Sequence, residues 1–88
     1  MLQIRIGLTS LLRDLDTICE TLYPTSQRDK AEGMLCLKNV AESIRELPLD
    51  ETERGRAAQR ISDQIDNVTE EAKAELRGLL CAINYPGQ

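Results

Sequence analysis

The chain has no histidine, no tryptophan and no phenylalanine, and its only aromatic side chains are two tyrosines. Without an imidazole there is no side chain whose ordinary pKa lies near neutrality. General acid–base catalysis and histidine-activated nucleophiles therefore lack their usual agent. The three cysteines, Cys19, Cys36 and Cys81, form no C-x-x-C pair and have no histidine to join them, so a structural zinc site is not expected. No glycine-rich phosphate loop is present. No apolar run approaches the ~20 residues of a membrane span. The opening MLQIRIGL has neither a basic leader nor a small-residue cleavage site after it, so no secretory signal is expected. On these grounds the chain is read as non-enzymatic, without metal or cofactor, and cytoplasmic.

Charge narrows the partners further. Eleven basic residues against fifteen acidic ones leave a formal net charge of −4. Nucleic acid and anionic membrane surfaces reward a basic face, which makes both unlikely partners. The cysteines sit in apolar contexts such as LCL and LLC, and the sequence predicts that they are reduced and buried as small core hydrophobes.

What the chain does contain is aliphatic and helix-forming. With three prolines and five glycines among 88 residues, and abundant Leu, Ala, Glu and Arg, the expected class is all-α in a single domain. Residues 1–8 alternate apolar and polar, which suggests an extended arm. Leu8, Leu11, Leu15, Ile18 and Leu22 then recur at spacings of three and four, widened by Leu12 and Cys19, and predict a helix over about 9–23. Thr9 or Ser10 is the expected cap, and Pro24 the stop. A second helix is predicted over 26–47, capped by Thr25 or Ser26, with Met34, Leu37, Ala41 and Ile44 facing the core and Pro48 closing it. A third is predicted over 50–84. It opens on a capping box of Asp50 and Glu53 and carries one stripe through Ala58, Ile61, Ile65, Val68, Ala72, Leu76, Leu79 and Ile83.

The expected architecture is a small antiparallel three-helix bundle. Its third helix would span roughly 50 Å at the α-helical rise, against roughly 20 Å and 33 Å for the others. A compact monomer cannot accommodate that mismatch unless the helix bends near Gly78 or packs on a second copy. The run GLLCAI at 78–83 is apolar on nearly every side, and Ala74, Gly78 and Ala82 form a stripe of small residues. A homo-oligomer, with a dimer favoured, is therefore expected, with Ala74, Gly78, Leu80 and Ala82 at its interface.

Two clusters could carry binding. The pattern C-x-x-x-Y-P occurs twice, at 19–24 and at 81–86, and in a three-helix bundle it would bring Tyr23 and Tyr85 to one pole. The start of the second helix would add Thr25, Ser26, Arg28 and Lys30, together with free backbone N–H groups that favour anions. The plainer role is a plug that seals the bundle end. A second cluster, Arg45, Arg54, Arg56 and Arg60, could receive an anion or an acidic partner, or could pair with Glu46, Glu51 and Glu53. The carboxylates Asp63, Asp66 and Glu70, and likewise Asp14, Asp16 and Glu20, read as solvated helix faces. The resulting expectation is an interaction protein that binds and modulates or inhibits another protein, in the manner of an adaptor, antitoxin, immunity protein or phage inhibitor. The alternative is a binding or sequestering protein for a small anionic, nucleotide-like ligand at the Tyr-Pro pole.

Overall fold

The computed structural model describes residues 7–84. Among them there are four helices and no strand: α1 (Leu8–Thr21), α2 (Lys30–Glu46), α3 (Glu51–Ile65) and α4 (Glu70–Asn84). Helix α1 packs on α2 and α3, and α4 packs on α2 and α3, so the four helices close a ring around one core. The molecule measures 39 × 33 × 18 Å.

The helix expected over 50–84 is thus two helices. At roughly 50 Å it would have been longer than the longest dimension of the molecule, 39 Å. The chain leaves helical geometry at 66–69, where the sequence reads Asp-Asn-Val-Thr. The Asn67 N–H donates to the carbonyl of Gln64 at 3.0 Å, and the Asn67 side-chain amide donates to the carbonyl of Asp63 at 3.2 Å. Asparagine thereby offers the last turn of α3 an alternative to its own ladder. The Thr69 N–H then donates to the carbonyl of Leu22, at 3.0 Å, which ties the start of α4 to the end of α1. Two acids, Glu70 and Glu71, occupy the first turn of α4, where the helix dipole favours them. Val68 is 3% exposed, so the turn itself inserts into the core.

Other boundaries also move. Helix α1 begins at Leu8 behind an extended Gly7 that supplies no side-chain cap, so Thr9 and Ser10 lie inside the helix. The expected arm falls mostly on residues 1–6, outside the described residues. Helix α2 is capped by Asp29, not by Thr25 or Ser26: its carboxylate accepts from the N–H groups of Ala31 and Glu32. Ser26 is held in the preceding loop, its N–H on the Tyr23 carbonyl at 2.9 Å and its hydroxyl accepting from the Arg28 N–H at 3.2 Å. The capping box on α3 forms as expected. Glu53 N–H meets Asp50 Oδ1 at 2.8 Å, and Asp50 N–H meets Glu53 Oε1 at 3.1 Å.

The core is wholly aliphatic apart from one thiol and one thioether. Leu8, Leu11, Leu12, Leu15, Cys19 and Leu22 meet Met34, Leu37, Ala41 and Ile44, and the far wall is Ala57, Ile61, Val68, Ala72, Leu76, Leu79 and Ile83. The α3 stripe enters at Ala57, with Ala58 half-buried. Helices α1 and α2 approach closely at Gly33: a methyl group there would lie 2.8 Å from Thr21 Oγ1 and 2.9 Å from Leu22 Cδ2. Any larger residue would force the Thr21 and Leu22 side chains to shift.

Candidate functional site

The faces of the molecule differ in how they are held. Between α1 and α3 runs a seam of polar side chains. Arg56 Nη2 donates to Thr9 Oγ1 at 2.7 Å, Arg60 pairs with Asp16, Gln64 Nε2 donates to Asp16 Oδ1 at 3.0 Å, and the Tyr23 hydroxyl donates to Gln64 Oε1 at 3.2 Å. The partners ascend together, from 9 with 56 to 23 with 64, so α1 and α3 run in the same direction. Asp16, read from sequence as part of a solvated face, is half-buried and receives two donors. Its spacing from Asp14 and Glu20 gave no sign of this, because both partners come from another helix.

These contacts redistribute the expected arginine cluster. Arg56 and Arg60 belong to the α1–α3 seam. Arg45 lies on the other side, 3.9 Å from Glu75 of α4 and beside Gly78. Arg54 is half-buried in the first turn of α3. The partners of Arg45, Arg56 and Arg60 are thus Glu75, Thr9 and Asp16, side chains of α4 and α1, in place of the nearby Glu46, Glu51 and Glu53.

Of the expected Tyr-Pro pole, the described residues include Tyr23, Thr25, Ser26, Arg28 and Lys30. Tyr23 is half-buried against the core and bonded to Gln64 at the end of α3. Tyr85 lies outside the described residues. The juxtaposition of the two tyrosines rested on an unbroken third helix, whereas α4 starts beside Leu22 and places Asn84 roughly 20 Å along its axis from that end. At the start of α2 the anion-attracting N–H groups already hold the Asp29 carboxylate, and Lys30 Nζ donates to the Ser26 carbonyl at 2.8 Å. Thr25 and Arg28 are exposed in the same loop.

The carboxylate row is likewise divided. Asp63 is in α3 and accepts from Gln59, Asp66 caps that helix, and Glu70 opens α4 and pairs with Lys73 at 3.3 Å. No cluster of metal-ligating side chains forms among the described residues. On α4, Ala74 and Gly78 are exposed, while Leu80 and Ala82 are half-buried, with Leu80 packed against the core.

The cysteines separate into two kinds. Cys19 is fully buried, and burial, with a smaller push from the Asp16 charge, raises its thiol pKa to about 12. Cys36 and Cys81 are exposed, against the expectation that all three would fill the core. All three are free thiols.

The feature that sequence reasoning missed is the outer seam between α1 and α2. It opens as a cleft of about 450 Å³ lined by Thr17, Ile18, Thr21, Arg28, Glu32 and Cys36, among others. A shallower stretch of about 310 Å³ continues it, adding Asp14, Asn39 and Val40. Leu35 lines neither stretch; on α2 it follows the lining residue Glu32 by three positions and precedes the lining residue Asn39 by four, spacings that make it a surface neighbour of both. At 62% exposure it is the exposed large hydrophobic residue among the described ones. Its signal in the sequence was an apolar residue lying off the stripe of Met34, Leu37, Ala41 and Ile44.

A scan against protein-family models matched none, and searches of curated proteins and of solved structures returned no match.

Proposed function

We propose that this protein is a non-enzymatic interaction module that binds another protein along the α1–α2 cleft and so modulates or inhibits it, in a cytoplasmic setting. The observation that carries the reading is Leu35. A leucine held in water on the helix that forms one wall of a cleft, where the other large aliphatic side chains among the described residues are mostly drawn inward, has the character of an anchor for a partner. The cleft supplies the rest of a recognition surface: Ile18 and Val40 as apolar contacts, and Asp14, Arg28 and Glu32 for orientation.

The test is affinity capture from the organism of origin, with tagged wild-type protein beside a Leu35→Asp variant. An exposed substitution alters folding stability by about 0.5 kcal/mol or less. Loss of a buried anchor costs a complex about 2 kcal/mol or more, a roughly thirtyfold weakening. The expected result is a stoichiometric complex with the wild type that the variant fails to retain at unchanged melting temperature. Recovery of the bait alone, or equal retention by both, contradicts the proposal.

A further inference from the structure

The turn at 66–69 is unlike the other two. The 22–29 turn contains Pro24 and the 47–50 turn contains Pro48, whereas Asp66-Asn67-Val68-Thr69 has neither proline nor glycine. Nothing covalent forbids these four residues from being helical. The apolar pattern also runs straight through them. Ile61, Ile65, Val68 and Ala72 are spaced four, three and four apart, and Ala72, Leu76, Leu79 and Ile83 repeat the same spacing. An eleven-residue repeat, about 3.67 residues per turn, keeps all seven positions on one face of an unbroken helix. In the closed molecule Ile65 is half-buried and the other six are buried. The same side chains therefore serve either path of the backbone. Beyond the burial of Val68, the bent path is held by the two Asn67 hydrogen bonds into α3 and the Thr69 bond to Leu22.

We propose that α3 and α4 join into one continuous helix in a second form, a homodimer in which α4 of each copy takes the place of its counterpart against α2 and α3 of the other. Exchange re-forms the α4 contacts with a second copy and adds helical hydrogen bonds across 66–69. It costs the freedom of a second chain, so the form is favoured by concentration. The inference is independent of partner binding at the α1–α2 cleft: either can fail while the other stands.

Two variants bias the joint in opposite directions. Asp66→Ala with Asn67→Ala replaces turn formers by the best helix former and removes the Asn67 side-chain bond to the Asp63 carbonyl, leaving only the backbone bond to Gln64. Glu70→Pro suits the first position of α4, where a backbone N–H has no intrahelical partner, but its ring would clash with the carbonyl of residue 66 in a continuous helix. Light scattering from micromolar to millimolar concentration measures mass, and circular dichroism confirms folding. In a Cys36→Ser, Cys81→Ser background, cysteines introduced by Arg45→Cys and Glu75→Cys are joined by a short bis-maleimide, since those side chains lie 3.9 Å apart. The expected results are a wild-type dimer fraction that grows with concentration, a dimer roughly tenfold tighter or more in the double alanine variant, a monomeric Glu70→Pro protein, and crosslinks between chains in the dimer fraction. A wild type that stays monomeric throughout, a Glu70→Pro protein that dimerises as the wild type does, or a dimer crosslinked only within chains overturns the proposal.

Discussion

At 22–29 and at 47–50 the chain changes direction behind a proline; at 66–69 it does so with neither proline nor glycine. The two kinds of turn place their determinants differently. Pro24 and Pro48 act locally: each pushes the residue before it out of the α region whatever surrounds it. The third turn depends on tertiary contacts, on Val68 entering the core and on the Thr69 N–H reaching the Leu22 carbonyl. A local stop is visible in a sequence window, whereas a tertiary one exists only after the helices have met.

That contrast can be broken most sharply at Val68. Val68→Asp would bury a charge without a partner, and an expected loss of about 3 kcal/mol or more should appear as a lower urea midpoint. Leu49→Asp, at a half-buried position beside Pro48, should cost clearly less. Equal losses would mean that the 66–69 turn is no more dependent on burial than its neighbour.

The helix leading to the first turn offers a test by pH. Burial raises the Cys19 thiol from its ordinary 9.0 to about 12. Between these values the unfolded chain gives up the proton and the folded one keeps it. Stability contributed by the neutral thiol is therefore complete below pH 9 and is lost as pH rises toward 12, by at most about 1.4 kcal/mol per unit. Urea melts of the wild type should show a steeper decline from pH 9 to 11 than those of Cys19→Ala; parallel curves would contradict the burial of this thiol. At pH 8, Cys36 and Cys81 should react with a thiol reagent at once and Cys19 only on unfolding.

A smaller effect is expected at Gly33, where α1 and α2 meet after the 22–29 turn. Gly33→Ala gains helix propensity of about 1 kcal/mol but drives a methyl group into Thr21 and Leu22, and a net loss of about 1 kcal/mol should register in thermal melts. Asp50→Ala, which removes one side of the capping box after Pro48, should also cost about 1 kcal/mol or somewhat less, in the same assay.

The parts of the molecule legible in the sequence are those set by short-range chemistry. The all-helical class, the stripe of Met34, Leu37, Ala41 and Ile44, and the Asp50–Glu53 box all emerge from spacing and capping rules. The cap at Asp29 was legible too, since Asp29 and Glu32 have the spacing of a capping box, but Ser26 competed for the assignment. The break at 66–69 was hidden by its own apolar register, which continues through it without a gap. Its traces were Asn67, Thr69 and the pair Glu70-Glu71, each an ordinary start or stop signal that an unbroken stripe outweighed. The polar contacts of Asp16 with Arg60 and Gln64 join residues more than forty positions apart, and no window of sequence holds both ends. Leu35 was visible as an apolar residue, but the cleft beside it exists only once α1 and α2 have packed.

The chain at 66–69 leaves the helix and is held to the end of α1. Backbone NMR of dilute monomer tests it most directly, through Cα secondary shifts along 51–84 and hydrogen exchange at Thr69. The expected result is helical shifts over 51–65 and 70–84, a fall toward coil values at 66–69, and a Thr69 amide protected by its bond to the Leu22 carbonyl. Uninterrupted helical shifts from 51 to 84 in a monomer would contradict it.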